Sequence, residues 1–290
     1  MENYGKHVYV SPKRRAQIFY KHFVSFIILL LATGAQPQNI YNKIILQKTM
    51  AIGISQNYPP LNILDKNGQR NGIELEMIQS LAAFLDVKPV LVPLNVQDYV
   101  KALEEGRVQL IIAGMSRDLE RSKKIWFSAP YLSIYPAALV DNRLIRSTKF
   151  GQDIEELPVE NLRDLNKAGK LSFIVKEGSI YESLIKNEFN SNKFIRVSSN
   201  EEGLEFLNDF KANAFLHDSL YLEYLLKENP GLRKSFTLMR TLNRDEYLCV
   251  GIPFGEIILK NQIDAWIAEI IRTKKINQWV DQYLKNETGN

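Results

Sequence analysis

The chain has 290 residues, 45% hydrophobic and 24% charged, with a formal net charge of +4. Residues 1–35 carry five bases and one acid, so the remainder holds 32 of each sign and no net charge. That balance offers no basic face for a phosphate backbone and argues against nucleic acid as a partner. The length is enough for one large core or two moderate ones.

The N-terminal excess has a pattern of its own. Lys13, Arg14, Arg15 and Lys21 precede an apolar run of ten residues, Phe23 to Ala32, and then Thr33, Gly34 and Ala35. A basic region, a short apolar stretch and small residues are the parts of a secretory signal. The run is well short of the roughly 20 residues that span a bilayer as a helix. Residues 1–35 therefore read as a signal peptide, with an uncleaved N-terminal anchor as the alternative, and the mature domain as periplasmic or otherwise exported. Cys249 is the only cysteine, so no internal disulfide or CxxC motif exists. Flanked by Leu248 and Val250, it reads as a buried small hydrophobe.

In chain order, Met50 to Ser55 is a short apolar run and reads as a strand, and Asp65 to Gly68 reads as a turn. After Gly72, the residues Met77, Ile78, Leu81, Ala82 and Leu85 fall at helical spacing. Val90 to Leu94 reads as a strand. Asn95 caps a helix with Val96, Tyr99, Val100 and Leu103, which Gly106 stops, and Val108 to Ala113 is a buried strand. The alternation restarts after residue 135. Tyr135 to Val140 and Leu171 to Val175 read as strands, and Gly178 and Ser179 open a helix. Phe194 to Val197 is a strand, Ser199 caps a helix with Leu204, Leu207 and Phe210, and Ala214 to Leu216 is a short strand before the helical Leu220 to Leu226. The C-terminal part is helical again, through Ile263, Trp266, Ile270, Ile276 and Val280. Two such units predict an α/β protein of two lobes, with the binding site at the carboxyl ends of strands in the cleft between them.

The most informative stretch runs from Ala113 to Tyr131. A strand ends at Ala113, the small-residue loop Gly114-Met115-Ser116 exposes backbone N–H groups, and Asp118 caps a short helix carrying Arg121. Backbone donors, a hydroxyl and a guanidinium at one strand end suit a carboxylate, which Arg grips bidentately. Arg121 as a surface residue paired with Glu120 or Asp118 is the alternative. Glu74 and Glu76 read as a solvated helix face. His217 reads as strand-end packing, because no second His or Cys completes a metal set. No metal and no cofactor is implied.

At these residues the chain resembles the family 3 extracellular solute-binding proteins, the polar amino-acid receptors of ABC importers. The resemblance is carried by Tyr58-Pro59-Pro60-Leu61, Asn67-Gly68, Gly72-Ile73-Glu74-Leu75, Leu103 to Gln109, Gly114 to Arg121 and Phe127-Ser128-Ala129-Pro130-Tyr131. Glu177-Gly178-Ser179 and His217-Asp218 extend it more weakly into the second half. It implies a type II periplasmic-binding-protein fold: two α/β lobes joined by two hinge crossovers, lobe one at 43–135 plus 248–290 and lobe two at 136–247. It also implies a binding protein, not an enzyme, that closes on an α-amino acid and delivers it to an inner-membrane permease. By the same resemblance Arg121 grips the ligand α-carboxylate, assisted by Gly114, Ser116 and Ser179. Tyr58 covers the ligand, and Asp218 takes the α-ammonium group; from the residues alone, Asp218 is also a helix N-cap and Tyr58 also a core residue.

Several positions depart from the family pattern. Asp118 stands where Thr is usual and brings a carboxylate toward a carboxylate site. Ile180 replaces a Thr hydroxyl, Val96 replaces an aromatic wall, and Ser55 replaces the acid that serves cationic ligands. Gln109 and Asn213 replace structural aspartates. These departures disfavour a cationic ligand and point toward a neutral or apolar amino acid. Two rival readings stand beside the receptor: a dehydratase-like enzyme on the same scaffold, using Asp118 or Asp218 as cleft acid, and a ligand-sensing module for a membrane receptor.

Overall fold

The computed structural model describes residues 39–149, 161–167, 171–189, 194–241 and 245–285. The expected signal peptide lies outside them. The first half runs α1 (Ile40–Gln47), β1 (Thr49–Ser55), β2 (Ile63–Leu64), β3 (Arg70–Asn71), α2 (Ile73–Leu85), β4 (Lys88–Leu94), α3 (Tyr99–Glu104), β5 (Leu110–Ile111), α4 (Leu119–Ser122) and β6 (Ile125–Ile134). Next come β7 (Pro136–Asp141), α5 (Asn142–Lys149), α6 (Leu162–Lys167), β8 (Phe173–Lys176), α7 (Tyr181–Glu188), β9 (Phe194–Val197), α8 (Asn200–Asn208), β10 (Ala214–Asp218) and α9 (Ser219–Glu228). The chain closes with β11 (Phe236–Arg240), β12 (Glu246–Pro253), α10 (Ile257–Arg272) and α11 (Lys275–Leu284).

Two five-stranded sheets organise the molecule, in the orders β4-β1-β5-β12-β6 and β11-β7-β10-β8-β9. They share one plan. In the first, β1 pairs parallel with β4 and β5, and β12 runs antiparallel to β5 and β6. In the second, β8 pairs parallel with β9 and β10, and β7 runs antiparallel to β10 and β11. Among the described strands, the chain passes from one sheet to the other between β6 and β7, through Tyr135, and again between β11 and β12. This is the expected two-lobed α/β architecture. Strand β12 begins at Glu246, which pairs with Ile134.

The central strands are apolar along their length because helices cover both faces. Leu110 and Ile112 face one cluster, with Met77, Leu81 and Trp266, while Ile111 and Ala113 face another, with Tyr99 and Leu103. Ala214 and Leu216 alternate with Phe215 in the same way in the second sheet. Alternation with period two is what a pleated strand imposes. Cys249, fully buried, takes its place in this alternation between Leu248 and Val250, and burial pushes its thiol up to about 11.

Local sequence fixes the element starts. Ser199 Oγ accepts from Glu202 N at 3.1 Å, the expected cap. Gly72 starts α2 at φ 120°, and a Cβ there would lie 2.5 Å from Leu61 O, so only glycine fits. The helix expected from Asn95 is a 3-10 turn over Val96–Asp98 followed by α3. Gln109 and Asn213 keep the job of the aspartates they replace: Gln109 Oε1 accepts from Ala51 N at 2.5 Å, and Asn213 Oδ1 from Ser172 N at 2.8 Å.

Candidate ligand-binding cleft

The carboxyl ends of the parallel strands of both sheets converge on one cavity. Tyr58 follows β1, Val96 follows β4, Gly114 and Ser116 follow β5, Lys176 ends β8, and Ser179 and Ile180 follow it. All of these line an inner cavity of about 50 Å³. The loop after β1 is held by reciprocal bonds, Tyr58 N to Asn62 O at 2.7 Å and Asn62 N to Tyr58 O at 2.9 Å. Gly114 sits at φ 61°, and a Cβ there would lie 2.4 Å from Tyr58 Cε1, so the loop after β5 needs glycine to pass beneath the ring.

Arg121 lies at the boundary between this cavity and a wider outer one of about 700 Å³. Its position is fixed from its own helix. Asp118 Oδ1 caps α4 by accepting from Glu120 N at 2.8 Å and Arg121 N at 3.0 Å, and Oδ2 pairs with Arg121 Nε at 3.1 Å. The two sequence-level alternatives for Arg121 therefore hold together: it pairs with Asp118 and it reaches the cavity. Its two terminal nitrogens donate to Ser116 O at 3.2 Å and, from the other lobe, to Gly178 O at 3.3 Å. Ser179 Oγ is buried at the cavity with no hydrogen-bond partner among the described residues.

Asp218 ends β10 and is fully buried. Its Oδ1 caps α9 by accepting from Tyr221 N at 2.8 Å, and its Oδ2 receives the Tyr58 hydroxyl and lies 2.6 Å from His217 Nδ1. Burial pushes its carboxyl up, but His217 beside it and the bonds from Tyr58 and Tyr221 outweigh that and hold it below the usual carboxylate range. Asp218 does not line the cavity; Tyr58 and His217 stand between. His217 stacks at 4.3 Å on Tyr221 and meets Tyr58 edge-on at 5.3 Å. Asp118 borders only the outer cavity. Ser55 borders neither, and its carbonyl accepts from Asn62 Nδ2 at 2.5 Å.

Glu74 is not part of a solvated face. It is fully buried, with Oε1 accepting from Gly114 N at 2.6 Å and from the Tyr131 hydroxyl at 2.5 Å, and Oε2 without a partner among the described residues. Burial pushes its carboxyl up to about 7, against the pull of those two hydrogen bonds. The Gly114 N–H, expected at a ligand carboxylate, thus belongs to Glu74.

Residues 50–286 match the bacterial extracellular solute-binding proteins, family 3. The chain belongs to that family. The amino-acid-binding protein AabA of Dichelobacter nodosus is 26% identical over 240 residues, 81% of this chain and 88% of its own. The cyclohexadienyl dehydratase of Pseudomonas aeruginosa is 22% identical, covering 73% of this chain and 76% of its own. Among solved structures, an ABC uptake transporter substrate-binding protein from Streptococcus pneumoniae with bound histidine superposes with a TM-score of 0.74 at 16% identity, over 88% of this chain and all of that one.

In this family 3 protein, sequence reasoning missed Lys176, Tyr99 and Tyr181 at the inner cavity. Lys176 was legible only as the edge of a strand, and no local spacing marks it. Burial lowers its pKa, with Glu201 pulling the other way. The family is extracellular, and no described helix is long and apolar enough to cross a membrane.

Proposed function

We propose that the protein captures an α-amino acid or similar small carboxylate solute between its lobes and passes it to an inner-membrane permease of an ABC importer. The observation that carries the reading is Arg121, anchored by Asp118 in one lobe and reaching Gly178 O in the other. A guanidinium so placed grips a carboxylate and gives the ligand contacts to both lobes at once, which is what makes ligand binding favour closure. Ser116 and Ser179 supply further donors, and Tyr58 forms the cover.

The inner cavity of about 50 Å³ shares Arg121, Ser179 and Ile180 with the outer one of about 700 Å³, and parting of the lobes gives the solute its way in. The moving units are residues 43–135 with 248–290, and 136–247. Residues 1–35 direct export and are removed. AabA, an amino-acid-binding protein by name, supports the ligand class. The dehydratase relative keeps an enzyme reading in view, but that chemistry needs a proton donor facing the substrate. Glu74 and Asp218 are both fully buried and neither lines the cavity, and Asp118, which borders the outer cavity, is engaged by Glu120 N, Arg121 N and Arg121 Nε, which favours binding over turnover.

The test is a thermal-shift screen of the purified protein against α-amino acids and their deaminated relatives. A ligand at 100 times its Kd stabilises the folded state by about 2.7 kcal/mol, so a cognate solute gives a clear rise in Tm. A screen with no shift, together with turnover of any of these compounds, would move the enzyme reading ahead.

A further inference from the structure

We infer that the solute is a small dicarboxylate, one carboxylate held by Arg121 and the second by Lys176. The inference rests on the proposed reading of the cleft and adds the ligand's chemical class.

The charges at the inner cavity are one-sided. Arg121 and Lys176 line it, and no Asp or Glu among the described residues does. Both oxygens of Asp218 are used, Oδ1 by the Tyr221 N–H and Oδ2 by the Tyr58 hydroxyl and His217. Asp118 holds Arg121 Nε from the outer side. The Lys176 ammonium makes no hydrogen bond or ion pair with any described residue. Glu201, the acid that acts on it from a distance, is exposed, and its Oε1 accepts from Asn57 Nδ2. An ammonium that loses water at a narrow cavity without gaining an anion is costly, and burial accordingly lowers its pKa. A ligand carboxylate removes that cost. A neutral side chain leaves it, and a cationic one adds repulsion. The departures that spoke for a neutral ligand, Ser55, Val96 and Ile180, remove an acid, an aromatic and a hydroxyl without accounting for this lysine.

With Asp218 sealed, recognition does not depend on an α-ammonium group, so acidic amino acids and oxo or unsubstituted dicarboxylates share the required chemistry. Isothermal titration of the purified protein with L-glutamate, L-aspartate, 2-oxoglutarate and succinate, beside L-glutamine and L-arginine, separates them. At least one dicarboxylate is expected to bind about 10- to 100-fold more tightly than glutamine, the range of a charge-assisted hydrogen bond. Tighter binding of the amino or of the oxo compounds names the source. Lys176→Met should erase the preference by weakening dicarboxylate binding about 10- to 100-fold more than glutamine binding, and should melt, without ligand, no lower than wild type. Glutamine or arginine binding more tightly than every dicarboxylate, or a preference that survives Lys176→Met, overturns this inference alone. Failure of all six compounds to bind also overturns this inference, whereas the proposed function falls only if the wider screen of α-amino acids and their deaminated relatives gives no ligand.

Discussion

At the scale of single residues, the chemistry of the cleft is set by carboxylates that are hidden from it. Glu74 and Asp218 both sit behind the cavity, but burial acts on them differently. Asp218 has a donor on each oxygen and His217 beside it, which hold its carboxyl below the usual range; Glu74 has two donors on one oxygen and none among the described residues on the other, and its carboxyl rises to about 7. Raised from the model-compound value of 4.5, Glu74 binds its proton more tightly in the folded state than in the unfolded one. Its contribution to stability is therefore full below about pH 4.5 and is lost as pH rises through about 7, by up to about 3 kcal/mol. Glu74→Gln, which keeps an acceptor for Gly114 N without a charge, should flatten the stability loss between pH 4.5 and 7 in denaturant titrations. An unchanged pH slope would mean that Glu74 is not the titrating group. Neither residue's burial was legible in the sequence. The partners of Glu74, Gly114 and Tyr131, lie 40 and 57 positions away, and an acidic residue two positions from Glu76 looks like any solvated helix face.

At the scale of elements, the buried strands and their caps were legible and the mixed strands were not. Strands β1, β5, β8 and β10 are continuous apolar runs bounded by turn residues, and Ser199 and Asp118 cap as their residue types require. Strand β6 was read only as a motif, because Ser128, Pro130 and Ser133 interrupt it, and β11 and β12 were not read as strands at all. Their pairing is decided by the second passage of the chain between the sheets, which no local pattern encodes. Helix α4 is the element on which function turns. At four residues it is too short to stand alone, and Asp118 both caps it and holds Arg121 Nε. The carboxylate that looked unhelpful beside a carboxylate site is a positioning group. Asp118→Ala should cost about 1 kcal/mol of stability as a lost cap. It should weaken ligand binding further by freeing the guanidinium, a second effect visible as a Kd change at temperatures where both variants are fully folded. Asp118→Asn, which retains the cap acceptor, should restore stability but only part of the affinity.

At the scale of the whole molecule, the polar contacts across the cleft include the Tyr58 hydroxyl on Asp218, Asn57 Nδ2 on Glu201 at 2.5 Å, and Arg121 on Gly178 O, while away from the cleft α9 packs on α11 and Lys227 Nζ donates to Tyr283 O at 2.8 Å. The polar contacts across the cleft can be exchanged for water, and a solute that joins both lobes shifts the population toward closure. Tyr58→Phe keeps the ring over the cavity and removes one of the contacts. It should enlarge the radius of gyration of the ligand-free protein in small-angle scattering and raise Kd by up to about tenfold, with saturating ligand returning the wild-type radius. The central claim is that Arg121 holds a ligand carboxylate between the lobes, and titration calorimetry of wild type and Arg121→Ala with the solute found in the screen tests it most directly. Loss of at least about 30-fold in affinity, with an unchanged ligand-free Tm, is the predicted result. Equal affinity of the two proteins would contradict the account.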